Sequence, residues 1–479
     1  MAVNTSEGLT DRQKLENIVL QGDTWSSLLA SVQVDTIGKD CAESGYGYRY
    51  QDILPVGMLG LVDDTICVTE AGYKAQMMNA FFNVKTAEKT LQFGPKKCKT
   101  MLIGKKTENF HKSKLSVDKW TVEHREDKVT GETELVETYS GKVEMEQCDK
   151  QKYLGFIISS SGNNMDNIQE MRNKSIGIIR KIFTKLSELN LRKYYFECGM
   201  IFLNVMLRSS ILYASECYYN LKENEIRSLE RIEENFMKQL LKTTKGCPIV
   251  QLYLELGHTP VRFAIMKSRL FFLKYIVDQE ENSLILKFFN LQLENPSKFD
   301  WASTCITDLK NMDIQLSVSD IKGMTENRYK DIIRTKCSAY ALKYLMNKRG
   351  SKGSEINFTE IEMAEYLLPN DNLTIEEQRT IFSIRNRMVN DIPANFSSKK
   401  ENTAKCICGE SEDMEHVYNC KYLNIEEPAE EYLKIFSGNT REQRTVLQRF
   451  EENLSIREKK KEESSHVILL SDPPSSIFV

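Results

Sequence analysis

The chain lacks an excess of either charge: 65 Lys plus Arg stand against 68 Asp plus Glu in 479 residues, for a formal net charge of -3. That balance removes any global pull toward a polyanion, so attraction to one must come from local basic segments. The sequence also lacks an uninterrupted apolar run of the ~18 residues that a membrane span needs. The longest candidate, YFECGMIFLNVML, is broken by Glu197 and Asn204. No basic-then-apolar leader with a small-residue cleavage site opens the chain, and its 12 cysteines are scattered rather than evenly paired. These absences predict free thiols in a reducing, intracellular compartment, nuclear or cytoplasmic, with the protein neither secreted nor membrane-bound. There is no internal repeat.

What is present is modular. A length of 479 residues suggests about three units, at least one able to bury a sizeable core. Residues 1–160 carry short alternating or apolar runs such as TICVT, KTMLIG and YLGFIIS, with the helically spaced AGYKAQMMNAFFNVKTAEKTL between them, which predicts an α+β unit. Within it, 107–150 alternates and is highly charged around a central Thr-Gly, and reads as a solvated hairpin insertion. From Met165 the period becomes helical, with apolar residues at i, i+3, i+4 and i+7. Helices are expected over 161–285 and, as a connector without identifiable chemistry, over 286–395. The segment Gly257-His258-Thr259-Pro260 reads as a loop in which Thr259 caps the next helix. A Cys/His-rich segment at 396–425 and a charged, partly disordered tail at 426–479 complete the chain.

The stretch GMLGLVDDTICVT, residues 57–69, sets Asp63 and Asp64 between two strand-like runs. The plainest reading is a hairpin turn, for which Asp is well suited. Two-residue hairpin turns, however, favour Asn-Gly or Asp-Gly because positive φ is needed, and no glycine follows here. Adjacent carboxylates repel unless a cation offsets them, and hard divalent ions such as Mg2+ prefer carboxylate oxygens. A metal-holding hairpin is the sharper alternative.

Val62-Asp63-Asp64 within such a hairpin resembles the catalytic box of reverse transcriptases, and further boxes follow in that family's order. Upstream, LQGDTWSSLLASVQVD, with Gln21, Gly22 and Ser26, looks like the box that lines template and incoming nucleotide, although Ser27 stands where the family usually has Pro. Downstream, LQFGPKKCKTMLIGKK puts Lys97 and Cys98 on the lysine box, and Tyr153-Leu154-Gly155 matches the primer grip. The KCK segment, the long insertion and the helical continuation are similar to the reverse transcriptases of non-LTR (LINE-type) retrotransposons. The resemblance implies an α+β palm fragment, then a mainly helical thumb and connector, then a small zinc knuckle. It implies RNA-directed DNA polymerisation by two-metal nucleotidyl transfer, with Asp63 and Asp64 holding Mg2+, Lys97 neutralising or protonating the leaving pyrophosphate, and an RNA template and DNA primer as partners. Lys97 is otherwise one exposed lysine among many.

The family's other metal-holding aspartate lies several tens of residues before the Gln-Gly box, and only 20 residues precede Gln21. The expectation is a chain that starts inside the palm, lacks fingers and first catalytic Asp, and is doubtful as a polymerase alone. The alternative is a non-catalytic nucleic-acid-binding remnant.

Two further features bear on that alternative. From Arg172 to Lys193 the cations Arg172, Lys174, Arg180, Lys181, Lys185, Arg192 and Lys193 face a single Glu188. Such a run reads either as a solvated helix face or, in a thumb, as a grip on phosphates. Near the C-terminus, CICGESEDMEHVYNC spaces Cys406, Cys408, His416 and Cys420 as C-x-C-x7-H-x3-C. A short helix from Met414 would bring His416 and Cys420 to one face opposite the Cys-x-Cys turn, completing a structural Zn2+ site; the alternative is free cytosolic thiols. By resemblance the knuckle's role is nucleic-acid binding.

Overall fold

A computed structural model describes residues 4–5, 8–9, 25–62, 64–89, 91–92, 94–103, 115–126, 133–243, 246–297, 300–349, 356–388, 406, 408–410, 414–420, 432–437 and 439–470, with backbone alone at 26, 120–126, 133–137, 414–415 and 461–470. The chain divides into two compact units, Met1–Asn167 and Ile168–Val479. The protein is mixed α+β and mostly helical.

In the first unit the described strands pair two by two. They begin with β1 (Asn4–Thr5) on β2 (Gly8–Leu9), followed by helix α1 (Ser26–Glu43). Next come β3 (Tyr48–Tyr50) on β4 (Leu54–Val56), and β5 (Met58–Leu61) on β6 (Asp64–Cys67), both antiparallel. After α2 (Gly72–Glu88), β7 (Lys99–Thr100) leads to the long strands β8 (Ser116–Glu126) and β9 (Thr133–Glu144), and then to β10 (Glu146–Gln147), which pairs β7 in parallel. A last hairpin joins β11 (Lys150–Tyr153) to β12 (Phe156–Ser159). The core is small: Ile37 and Cys41 of α1 meet Met78 of α2, with Tyr46, Met58, Phe81 and Phe82 around them. Asn79 and Asn83 of α2 pin the root of the long hairpin, both donating to the Ser116 carbonyl at 2.7 and 3.1 Å. At Gly141 (φ +111°) the β8–β9 register shifts, so Lys119 pairs Gly141 while Trp120 pairs Tyr139. Ser140 is left out of the pairing, and glycine at 141 takes the positive φ without a Cβ penalty.

The second unit is helical. α3 (Met165–Glu188), which begins three residues before the unit boundary, buries Ile168, Met171, Ile179, Ile182 and Leu186 on one stripe. α4 (Tyr195–Phe202) runs into a π-helical turn at Leu203–Arg208 and then α5 (Ser209–Ile211). α6 (Glu223–Leu240), α7 (Ile249–Glu255) and α8 (Val261–Val277) form the centre. α9 (Leu284–Glu294), α10 (Trp301–Asn311), α11 (Val318–Gly323) and α12 (Glu326–Lys348) pack against α8 around Leu270, Leu273, Ile276, Cys305, Tyr329 and Ile333. Each such fully buried apolar side chain contributes roughly 1.5–3 kcal/mol. α13 (Ile375–Arg385), α14 (Met414–Asn419), α15 (Lys434–Ser437) and α16 (Thr440–Leu470) follow.

Two details differ from the sequence-based expectation. Thr259 does not cap α8, whose N-cap is Pro260 without a side-chain bond. The Thr259 carbonyl instead accepts from the Arg208 guanidinium, a demand from another helix that local sequence does not reveal. The charge-rich stretch after Arg457 is helical to Leu470, because Glu and Lys are good helix formers and the preceding turns of α16 are anchored by buried Val446, Leu447 and Phe450.

Candidate functional site

The carboxylate hairpin closes where Leu61 pairs Asp64, with Val62 in its turn. Asp63 lies outside the described residues, as do Gln21 and Gly22. Val62 has φ +57°. A β-branched residue in the left-handed region is a steric outlier, costing roughly 1–3 kcal/mol, and such strain concentrates at functional sites. Asp64 opens β6 and is exposed.

The turn of the β11–β12 hairpin is Leu154-Gly155, with φ +47° and +84°. Positive φ at both positions matches a type I′ turn; Gly155 accepts it freely and Leu154 does not. This turn brings two of the sequence-predicted segments together, since the Tyr153 hydroxyl donates to the Asp64 backbone carbonyl at 3.4 Å. Burial first, and the Asp64 charge second, push the Tyr153 phenol above its usual range and keep it a donor. Lys97 is exposed in the turn closed by its own N–H on the Gly94 carbonyl at 2.8 Å; among the described residues no ion pair joins it to Asp64. Ser26 opens α1.

On α3, Arg172, Lys174, Arg180, Lys181 and Lys185 are all exposed, opposite the buried stripe. Lys174 reaches Glu170 at 3.4 Å and Lys185 reaches Glu188 at 2.6 Å. Beyond the helix Arg192 is exposed, and Lys193 pairs with Asp371 at 2.9 Å. Surface pairs of this kind are worth little and exchange readily for another anion.

Cys406, Cys408, His416 and Cys420 do converge: one ligand atom from each lies within 4.8 Å of all the others. The Cys406 and Cys420 sulfurs are 3.7 Å apart, and the Cys408 sulfur is 3.3 Å from His416 Nε2. A tetrahedral zinc with Zn–S bonds of ~2.3 Å separates its thiolates by about 3.8 Å, so the sulfur spacing is that of a tetrahedron's edge. Two local features hold the arrangement. Gly409 (φ +90°) turns the chain after Cys408, with the Cys406 N–H donating to the Glu410 carbonyl at 2.9 Å. α14 carries His416, whose Nδ1 faces the Glu410 carboxylate at 3.2 Å while its Nε2 is turned toward the Cys408 sulfur. The donor set of three thiols and an imidazole is compatible with structural zinc. Among the described residues it is the one converging group of three or more potential ligands, and Asp64 belongs to no such group.

The second unit also holds buried charges that no local pattern marks. Glu233 of α6, fully buried, takes a bidentate pair from Arg208 at 2.6 and 3.0 Å. Its Oε2 lies 3.6 Å from Nε2 of buried His258, which stacks on Tyr253. Burial alone would raise the Glu233 carboxyl, but the Arg208 and His258 charges outweigh it and hold it at about 2. Burial, then Arg208, lower the His258 imidazole, against the opposing pull of Glu233. Glu255 is a second hub, accepting from Tyr366 Oη at 2.6 Å, Arg385 Nε at 3.0 Å and Asn386 Nδ2 at 2.9 Å. A cavity of about 530 Å³ opens between α8 and α10 over the Arg269–Asp308 ion pair, whose members already satisfy each other.

No family model matches the chain, and no curated protein does either. No helix among the described residues is long and apolar enough to cross a membrane.

Proposed function

We propose that the chain is the palm, thumb and zinc-knuckle part of an RNA-directed DNA polymerase of the non-LTR retrotransposon type. The observation that most supports this is the Tyr153–Asp64 hydrogen bond, which links two boxes 89 residues apart in sequence. The same two boxes form hairpin tips with left-handed, non-glycine residues, Val62 and Leu154. In this reading Asp64, with Asp63, supplies hard oxygen donors at the primer end, and the Tyr153 turn holds that hairpin while its backbone lines the primer. The exposed cations of α3 grip the template–primer phosphates.

Nucleotidyl transfer uses metal ions held by carboxylates from two strands. Among the described residues no second carboxylate strand joins Asp64, so a Mg2+ pair does not fit this hairpin unaided. With no second carboxylate strand at hand, purified chain given a primed RNA template, Mg2+ and deoxynucleotides is expected to extend the primer only weakly, and Asp64→Asn to abolish what extension there is with duplex affinity little changed. Extension by Asp64→Asn at the wild-type rate would reject the assignment.

A second reading, a nucleic-acid-binding protein without polymerase activity, is favoured by one observation: Arg172, Arg180 and Lys181 are exposed and enter no ion pair among the described residues. Duplex binding without extension selects it.

A further inference from the structure

Between Cys406 and Cys420 the chain has Glu410, Glu412, Asp413 and Glu415 and no lysine or arginine. With three thiolates around one dication the loop is strongly negative, the opposite of what phosphate neutralisation requires. Its other face is taken up by protein. Val417 and Tyr418 of α14 are fully buried, and Asn453 of α16, also buried, donates through Nδ2 to the Val417 and Tyr418 carbonyls at 3.4 and 3.2 Å. Those carbonyls lie in the last turn of α14, where no intrahelical partner exists. The Arg449 guanidinium sits 4.9 Å over the Tyr418 ring, and Tyr418 packs on Tyr432. From there Arg385 carries the contact inward, donating to the Ile435 and Phe436 carbonyls at 2.7 and 2.9 Å and to Glu255.

α14 has six residues, too few to be helical alone, so packing and ligand geometry must impose its shape. Structural zinc binding is folding free energy. Without the metal, α14 loses its tether to Cys406 and Cys408, and the buried Asn453 amide loses its acceptors. We propose that the Cys406–Cys408–His416–Cys420 centre is a metal-dependent latch that docks α14 onto α16, a protein-docking surface and not a nucleic-acid finger. This rests on zinc occupying the cluster, as the functional reading has it.

The test uses the full chain, with metal content measured first. Wild type should carry one zinc; none would overturn the metal reading itself, and the latch with it. Amide hydrogen exchange over 443–457 is then compared in wild type, chelator-treated protein, Cys406→Ser and Asn453→Ala. Loss of zinc should accelerate exchange there by about tenfold or more, while Asn453→Ala should keep its zinc and give a smaller acceleration. Unchanged exchange after zinc loss overturns the latch. Single-stranded nucleic-acid affinity should move less than about twofold on zinc loss, and a drop of about tenfold overturns the docking role whatever the exchange does.

Discussion

Val62 sits at the tip of the β5–β6 hairpin with φ +57°, where a β-branched side chain crowds its own backbone. Val62→Gly should relieve that and raise stability by about 1 kcal/mol, read by chemical denaturation. No gain would mean the turn is not strained. At the same scale Glu233 and His258 give the second unit an acid sensitivity. The Glu233 carboxyl is held below its unfolded value, so its contribution is present above pH ~4.5 and is lost as pH falls toward about 2. The lowered His258 imidazole acts in the same direction, beginning as pH falls below ~6.5. Glu233→Gln should flatten the lower window in a stability–pH profile, and an unchanged slope there would contradict the pairing. The hairpin that carries Asp64 was legible in the sequence because turn chemistry is local, whereas its contact with Tyr153, 89 residues away, was not. Glu233, Arg208 and His258 were not legible either, since four carboxylates on α6, Glu225, Glu230, Glu233 and Glu234, occupy buried positions where the helical period leads one to expect apolar residues.

Among elements, α3 and α6 follow directly from their apolar spacing, and the ligand spacing at 406–420 anticipates the short helix α14. Strand partners were harder to read: the described strands pair two by two, and which strands join depends on contacts remote in sequence. The segment 356–388, which reads as connector, is fastened by Glu255. Its approach needs Gly257 (φ +63°), where a Cβ would lie 2.3 Å from the Met363 nitrogen. Glu255→Ala strands the buried Arg385 guanidinium and should cost on the order of 3–5 kcal/mol in urea denaturation. A cost below about 1 kcal/mol would show that water reaches the site.

For the whole molecule, a near-zero net charge hides local opposites: the exposed face of α3 is basic and the Cys406–Cys420 loop is acidic. On the proposed reading, phosphate recognition therefore falls to α3. The most direct measurement is the affinity of the chain for an RNA–DNA hybrid across a salt series, for wild type and for a variant with Arg172, Arg180 and Lys181 all changed to Ala. Each phosphate contact contributes about 0.9 to the slope of log K against log salt for duplexes. The account predicts weaker binding and a slope shallower by about 2–3 in the variant, at unchanged zinc content. An identical slope and affinity in the two proteins would contradict it.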